Sequence, residues 1–295
     1  MNKIDNPIDL LCPGCGVPIS NPTNPHLVKN GFPIVRCRHC TLQFLANRNP
    51  GLVANLYQTY YQEGGLYNLR YKADDPRRGP MFEHWLDIIE RIKPNGKLLD
   101  VGSAYGEFLQ RAANRRKWDL FGVEIDPEAA KQAGVAAQAD VRSGRIEEQT
   151  FSREYFDIVT AFELIEHLPD PRETIRRMAE WLKPEGIFCV STPNLNKLKN
   201  RISKRARDSF YIPPEHLLYF NRRALRTMFA TLGFKPLLID AGSRSLIYKL
   251  GLYSHGKQSS ATTRRLEAFL RLGQGFGIEG FQIVAVFLKP APEAA

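Results

Sequence analysis

The segment Lys97–Leu109 constrains the fold of this chain more than any other part of the sequence. A short apolar run, Leu98–Val101, leads into a loop with two glycines, and apolar residues recur at helical spacing from Phe108 onward. This order predicts a strand, a tight loop and a helix, the opening unit of a nucleotide-binding α/β sheet. Gly102 and Gly106 allow unusual dihedral angles and let the loop backbone approach a ligand closely.

The next predicted strand, Phe121–Ile125, carries an acidic residue near its C-terminal end. A carboxylate at this place in a nucleotide-binding sheet can accept hydrogen bonds from both hydroxyls of a ribose. Glu124 is therefore the candidate ribose ligand. The loop and this acid together predict that a nucleoside lies across the two strand ends.

The spacing of the glycines indicates which nucleoside. Dinucleotide-binding domains carry G-x-G-x-x-G, with the pyrophosphate at the helix N-terminus. Here Asp100, Gly102 and Gly106 form D-x-G-x-x-x-G, and an acid at the first position suits a cationic amino-acid ligand rather than a pyrophosphate. At residues 100–106 and 122–126 the chain resembles the class I S-adenosyl-L-methionine (SAM)-dependent methyltransferases. Ala104 stands where that family usually has a glycine.

The resemblance covers about residues 81–290 and implies an α/β class, Rossmann-like methyltransferase fold, a mixed seven-stranded sheet with its last strand antiparallel. It also implies SAM as the cofactor. Two parts of the chain are candidates for the contact with adenine: Asp140 and the loop Gly144–Ile146. The number of residues between each candidate and the next strand favours the loop. The expected cofactor-binding residues are Asp100, Gly102, Ser103, Ala104, Tyr105, Gly106, Phe108, Glu124, Ile125, Arg145, Ile146 and Phe162.

Two C-x-x-C pairs near the N-terminus predict a metal site. Two knuckles of this kind, separated by a longer loop, have the spacing of a four-thiolate zinc ribbon. Because four protein ligands leave no coordination position for a substrate, the zinc is expected to be structural. A redox pair would need only one C-x-x-C, and a disulfide is disfavoured in a reducing compartment. The predicted ligands are Cys12, Cys15, Cys37 and Cys40.

The chain of 295 residues is long enough for one large domain and a small module. We expect a zinc ribbon at 1–50, a tyrosine-rich connector or lid at 51–80, and a methyltransferase domain at 81–290 with a basic insertion at 195–212. Because related small-molecule methyltransferases cover the cofactor with an N-terminal lid, Tyr60, Tyr61 and Tyr67 are candidates for that role.

The chemistry is expected where the fourth strand, Tyr155–Phe162, ends, since ligands of open α/β sheets bind outside the carboxyl ends of the strands. The E-x-x-E-H run that begins at Glu163 resembles the ubiquinone-biosynthesis O-methyltransferase branch, in which this run is associated with a divalent metal. A second family feature, P-E-H-L, contains His216. We predict His167, His216 and Glu163 as the catalytic residues, with a histidine or Glu163 as general base. The alternative is that Glu166 and His167 only cap the next helix.

The most basic stretch of the chain lies in the insertion. If the stretch is a helix, four of its basic residues share one face, with Leu198 and Ile202 opposite; the four are Lys197, Arg201, Lys204 and Arg205. A solvated surface, an anionic membrane surface and an anionic substrate are all open interpretations. The residues concerned are Lys197, Lys199, Arg201, Lys204, Arg205 and Arg207.

The sequence therefore predicts a SAM-dependent methyltransferase that modifies a small-molecule or a lipid- or phosphate-linked acceptor, at oxygen. The alternative is an RNA base methyltransferase that binds RNA through the zinc ribbon and the basic insertion. A non-catalytic binder is disfavoured because Asp100 and Glu124 are intact. No apolar run approaches the length of a membrane helix and no signal pattern is evident, so a cytoplasmic protein, in peripheral contact with the inner membrane at most, is expected.

Overall fold

The computed structural model describes residues 10–20, 24–48, 51, 78–241 and 279–292. The predicted lid tyrosines, Tyr60, Tyr61 and Tyr67, lie outside the described residues. The domain boundaries predicted from the sequence remain a prediction.

Strands and helices alternate through most of the described chain. The strands are β1 Leu27–Lys29, β2 Phe32–Arg36, β3 Gln43–Leu45, β4 Gly96–Val101, β5 Trp118–Glu124, β6 Asp140–Ser143, β7 Phe156–Phe162, β8 Leu182–Pro193, β9 Leu218–Tyr219, β10 Lys235–Asp240 and β11 Gln282–Leu288. The helices are α1 Arg78–Ile92, α2 Glu107–Arg115, α3 Pro127–Ala137, α4 Pro171–Trp181, α5 Leu198–Ile202, α6 Lys204–Asp208 and α7 Arg222–Thr231.

The larger sheet has seven strands in the order β10-β11-β8-β7-β4-β5-β6. Strands β4 to β8 are parallel, and β11 lies antiparallel between β10 and β8. The central strands are continuous apolar runs because helices cover both faces of such a sheet. This confirms the predicted mixed sheet with an antiparallel last strand, and the carboxyl ends of β4, β5 and β7 meet at one edge.

The sequence pattern predicts one helix over Met81–Ile92 and another from about Pro127 to Ala133, and both helices are longer in the structure. Helix α1 begins at Arg78, and α3 continues to Ala137. The side chain of Asp126 accepts a hydrogen bond from the Ala129 backbone N–H at 2.8 Å and caps α3, with Pro127 in its first turn. Apolar periodicity marks the buried core of an element and misses its polar ends.

The smaller sheet joins the N-terminal cysteine-rich region to the rest of the chain. Its order is β1-β2-β3-β9, with antiparallel pairing throughout. Strand β9 comes from beyond residue 200, whereas the other three strands precede residue 50. The buried residues of this region also belong to the same hydrophobic cluster as much of the larger sheet. The two sheets therefore share one core.

The basic stretch is not the single helix that the sequence analysis assumed. Ser203 is extended, with φ −127° and ψ 116°, and its side chain caps α6, so the stretch divides into α5 and α6. Leu198 and Ile202 are 38% and 76% exposed and are not packed on an opposite, buried face. The prediction of one amphipathic face is therefore wrong. Basic side chains and two apolar ones share the exposed surface.

Within the described segments, every helix is too short or too polar to cross a lipid bilayer.

Candidate functional site

A cavity of about 400 Å³ opens at the carboxyl ends of β4, β5 and β7. Its lining includes every cofactor-binding residue predicted from the sequence except Gly106. The predicted catalytic residues, Glu163, His167 and His216, line the same cavity. The two halves of the predicted site therefore form one continuous space. We call the part lined by the predicted cofactor-binding residues the cofactor end, and the part lined by the predicted catalytic residues the acceptor end.

The loop between β4 and α2 has three residues in the left-handed region, with φ 77° at Gly102, 50° at Ala104 and 80° at Gly106. A Cβ atom at Gly106 would lie 2.7 Å from the Cα atom of Ala133, so glycine is also required for close packing against α3. Gly106 thus shapes the loop from behind and does not line the cavity. Ala104 adopts a conformation that costs an L-residue about 1–2 kcal/mol, which explains the glycine usual at this position.

Glu124 organises the cofactor end. Its carboxylate is 2% exposed and accepts hydrogen bonds from the backbone N–H groups of Ala104, at 2.8 Å, and Asp126, at 3.1 Å. These bonds fix the glycine loop and the end of β5 to each other. A carboxylate has about four acceptor positions, so ribose hydroxyls can still bind to it.

Asp100 lies on the floor of the cofactor end and is 3% exposed. The hydroxyl of Thr160 donates a 2.6 Å hydrogen bond to its Oδ1 atom. Burial raises the pKa of Asp100 to about 7, although the bond from Thr160 favours the ionised form. The nearby Ser103 hydroxyl is buried and has no hydrogen-bond partner among the described residues, so it is available to a polar ligand.

The loop after β6, which the sequence favours for the adenine contact, lies at the cavity. Gly144, Arg145 and Ile146 line the cavity, and Ile146 is buried. Asp140 lies at the opposite end of β6, where its exposed carboxylate is 3.9 Å from Arg142, and it does not line the cavity. The adenine contact itself stays a prediction.

An aromatic wall lines the cavity, and two of its four rings, Phe82 and Trp85, were not among the predicted site residues. The ring of Phe162 lies 4.2 Å from Trp85 and 4.9 Å from Phe108, measured between centroids, and Phe82 packs against the same group. The helical apolar spacing of Met81–Ile92 indicates packing against the sheet. It does not indicate that Phe82 and Trp85 face a ligand cavity.

The acceptor end contains a cluster of three side chains, Glu166, His167 and His216. One possible metal-ligand atom from each side chain lies within 4.8 Å of those from the other two. The two imidazole rings are edge to face at 4.8 Å between centroids. His167 and Glu166 belong to a 3₁₀ turn, Ile165–His167, immediately after β7. His216 comes from the segment before β9, so the pair is made by tertiary folding.

His167 is oriented by the backbone. Its Nδ1 atom lies 2.7 Å from the carbonyl oxygen of Glu215, and only a protonated Nδ1 can donate to a carbonyl. The Nε2 atom of the neutral ring therefore carries the lone pair. Burial lowers the pKa of His167, which keeps the ring neutral near physiological pH.

Glu166 is the least satisfied polar group of the site. It is 1% exposed, and neither carboxylate oxygen accepts a well-formed hydrogen bond among the described residues; Oε1 lies 3.9 Å from Nε2 of His167. Burial raises the pKa of Glu166 well above its usual value. A buried carboxylate without donors requires a proton or a cation, and two imidazole nitrogens with a carboxylate oxygen are a donor set suited to divalent transition metals. The residues present therefore fit the metal that the family resemblance implies.

Glu163 is held differently from Glu166. Its Oε1 atom accepts hydrogen bonds from the Ser191 hydroxyl at 3.0 Å and the Gln282 side chain at 2.8 Å. It has a φ of 50°, so the chain turns sharply after β7 at this residue. Its carboxylate is thus tied to β8 and β11, and its predicted role as a base stays a prediction.

The four N-terminal cysteines converge as their spacing predicts. Their sulfur atoms all lie within 4.8 Å of one another, with 3.5 Å between those of Cys12 and Cys40 and 3.6 Å between those of Cys15 and Cys37. Tetrahedral Zn–S bonds of about 2.3 Å place neighbouring sulfurs about 3.8 Å apart. All four are buried free thiols, and the bond from Cys40 lowers the pKa of Cys12 to about 5. This set fits a structural zinc ion.

Sequence comparisons agree with this geometry. The family described as a methyltransferase domain matches residues 77–239. The chain is 32% identical over 163 residues to the ubiquinone biosynthesis O-methyltransferase of Xanthomonas campestris pv. campestris, which covers 50% of this chain and 66% of the relative. The corresponding enzyme of Azorhizobium caulinodans is 36% identical over 105 residues, or 33% of this chain and 40% of the relative. The matched region is thus less than two thirds of each of these relatives.

Solved structures share the fold at low sequence identity. A SAM-dependent methyltransferase from Archaeoglobus fulgidus has a TM-score of 0.53 and 19% identity, covering 76% of this chain and 98% of its own. The [4+2]-cyclase SpnF has a TM-score of 0.51 and 16% identity, covering 71% of this chain and 81% of its own. These likenesses establish the fold, and the family match extends over more than half of the chain. The chain therefore belongs to the methyltransferase-domain family, which confirms the family resemblance seen in its sequence.

Proposed function

We propose that this protein transfers a methyl group from SAM to a hydroxyl oxygen of a small-molecule acceptor. The observation that carries the proposal is one cavity with two chemically different ends. Glu124 and the glycine loop form a nucleoside-binding end, and Glu166, His167 and His216 form a proton-accepting end. The relatives named as O-methyltransferases support oxygen as the acceptor atom.

At the cofactor end, Asp100 is placed to pair with the amino group of SAM and Glu124 to bind the ribose hydroxyls. Ile146 and Phe162 supply apolar surface, and the backbone of the loop after β6 borders the adenine position. With the amino acid and the ribose held at these points, the methyl group is directed toward the remaining sector of the cavity. That sector contains the histidines.

At the acceptor end, we assign the general base to His167, with His216 beside it as the alternative. The bond to the Glu215 carbonyl leaves Nε2 of His167 as the basic atom, and its neutral state suits a proton acceptor. A hydroxyl that loses its proton to Nε2 becomes a stronger nucleophile. The aromatic wall of Phe82, Trp85 and Phe162 excludes water from the transfer path.

The family resemblance also implies a divalent metal, and Glu166, His167 and His216 would hold it. When bound, it would lower the pKa of an acceptor hydroxyl. In that state both histidines are ligands rather than bases. The unpartnered oxygens of Glu166 are the feature that supports this arrangement.

The exposed surface of residues 197–207 bears on the class of acceptor. This segment exposes several basic side chains together with Ile202, a combination that suits a lipid- or phosphate-linked acceptor or an anionic membrane surface. The RNA base methyltransferase predicted as the alternative would use the same charges. Steep salt dependence of RNA binding would favour that alternative.

The proposal is tested by measuring methyl transfer to a panel of hydroxylated aromatic, isoprenoid and phosphate-linked compounds, with transfer RNA as the competing substrate class. On the acceptor found, His167→Ala should lower turnover by on the order of 100-fold or more while the affinity for S-adenosylhomocysteine stays unchanged. His26→Ala, an exposed histidine away from the cavity, is the matched control. Near-normal rates in His167→Ala, His216→Ala and Glu163→Ala would contradict the general-base mechanism.

A further inference from the structure

We propose that the cysteine-rich module, defined here as residues 10–48, positions the acceptor end of the cavity. The module does so by fixing a bridging segment, residues 211–221, which carries Glu215 and His216. The inference rests on the proposed function for the role of the acceptor end. It assigns to the zinc-binding region a part in methyl transfer that its closed, four-thiolate site does not suggest.

Leu217 forms the shortest connection between the module and the site. Its carbonyl oxygen accepts a 2.9 Å hydrogen bond from the backbone N–H of Leu45, in β3 of the module. Its own N–H donates a 2.9 Å hydrogen bond to the backbone carbonyl of Glu166. A displacement of β3 is thus transmitted through one residue to the turn that holds Glu166 and His167.

Further contacts fix the rest of the bridging segment to the module. The hydroxyl of Tyr211 donates a 2.6 Å hydrogen bond to Oε1 of Gln43, and both side chains are buried. Strand β9 pairs with β3. At the far end of the segment, Thr41 and Asn221 share a hydrogen bond of 2.9 Å between Oγ1 and Nδ2. Glu215 and His216 therefore lie between two anchored points.

The module also makes hydrogen bonds to the segment that follows His167, up to the first turn of α4. Arg48 donates hydrogen bonds to the carbonyl of Leu45 at 2.8 Å and to the carbonyl of Pro169 at 3.2 Å. Arg172, in the first turn of α4, donates a 3.0 Å hydrogen bond to the carbonyl of Gly14 in the first cysteine knuckle. Both segments that supply the acceptor end thus contact the module directly.

The loop between β4 and α2, at the cofactor end, is held by the larger sheet rather than by the module. Gly102 donates its N–H to the carbonyl of Val123 at 2.8 Å, and Ala104 donates to Glu124. These partners belong to β5 in the larger sheet. A change confined to the module should therefore alter the acceptor end and leave cofactor affinity intact.

Tyr211→Phe is the first test, because it removes one hydrogen bond and leaves the ring. Tyr219→Phe is the matched control: its hydroxyl is also buried and lies on the same segment, but it makes no hydrogen bond to the described residues of the module. We expect Tyr211→Phe to change the imidazole NMR chemical shifts of His167 and His216 at fixed pH, to leave those of His84 unchanged, and to keep S-adenosylhomocysteine affinity within about twofold. Turnover should fall roughly tenfold, since small misplacements of reacting groups are costly.

The Cys37→Ser substitution in the full chain is the second test, read by hydrogen exchange. It removes one zinc ligand of the module and leaves the second possible metal site, Glu166, His167 and His216, intact. Protection should fall in residues 163–172 and 211–221 and stay in residues 98–106. Equal loss in all three segments, no loss in any, or the same histidine chemical-shift changes in Tyr211→Phe and Tyr219→Phe would overturn the inference. Because hydrogen exchange and chemical shifts need no acceptor, these outcomes are independent of whether the proposed reaction is correct.

Discussion

Replacing Asp100 by asparagine should make the ligand-free protein more stable and the cofactor complex weaker. Asparagine keeps an oxygen that accepts the hydrogen bond from Thr160, but it removes a carboxylate that is 3% exposed. Burial raises the pKa of Asp100 from 3.8 to about 7. The folded protein therefore binds this proton more tightly than the unfolded chain does, and the group lowers stability as the pH rises between these two values.

The magnitude follows from the two pKa values. The difference between 3.8 and about 7 corresponds to about 4 kcal/mol of unfolding free energy when the carboxylate is fully ionised. At about pH 8 the Asp100→Asn variant should therefore be more stable than the wild type by up to this amount, and the gain should vanish near about pH 4. Urea denaturation of the ligand-free proteins across this range measures it. Asp119→Asn, at an exposed position on β5, is the control.

Binding should change in the opposite direction. The amino group of S-adenosylhomocysteine requires the ionised carboxylate, so wild-type affinity should fall roughly tenfold between about pH 7.5 and about pH 6, with proton release on binding. The Asn variant should bind more weakly and lose this pH dependence, which calorimetry in buffers of different ionisation enthalpy will reveal. Equal affinity of the two proteins at about pH 7.5, or the same pH-dependent stability in both, would refute the assignment of Asp100 to the cofactor.

Two further substitutions test features of the loop and the module. Ala104→Gly should leave cofactor affinity unchanged and raise the unfolding free energy by up to about 1 kcal/mol. The reason is that the energy gained by relieving the left-handed conformation exceeds the cost of the greater chain entropy of glycine in the unfolded state. Thermal unfolding measures this change, and a loss of stability would contradict it. Metal analysis should find one zinc ion per chain in the wild type and none in Cys37→Ser. Unfolding of this variant should be less cooperative, since a small metal-bound module has little core of its own. Full zinc content in the variant would contradict the four-thiolate site.

The cofactor end could be predicted from the sequence because its chemistry is local. Asp100, Gly102 and Gly106 belong to one strand-loop-helix unit, and Glu124 ends the next strand. Most of the predicted cofactor-binding residues came from these two segments; Arg145, Ile146 and Phe162 came from elsewhere. The four cysteines were equally accessible to prediction, since each knuckle is a contiguous turn and four soft ligands can share one ion.

The acceptor end depends on contacts between distant parts of the chain, which no local pattern records. The partner of Glu163, Gln282, is 119 residues away, and the bond from Tyr211 to Gln43 spans 168 residues. Strand β9 has two residues, too few for alternation to be recognised. The histidines were found through the family resemblance, but their contact with each other and the buried, unpartnered Glu166 emerged only from tertiary structure.

The position of β11 has a consequence for folding during synthesis. This strand fills the gap between β8 and β10, although it is the last of the described strands to leave the ribosome. Until then β8 presents an unpaired edge, a state prone to association with other chains. The same strand brings Gln282 to Glu163, so the hydrogen bonds that hold Glu163 stay incomplete throughout that interval. A nascent chain thus contains the glycine loop and Glu124 well before the contacts around Glu163 can form.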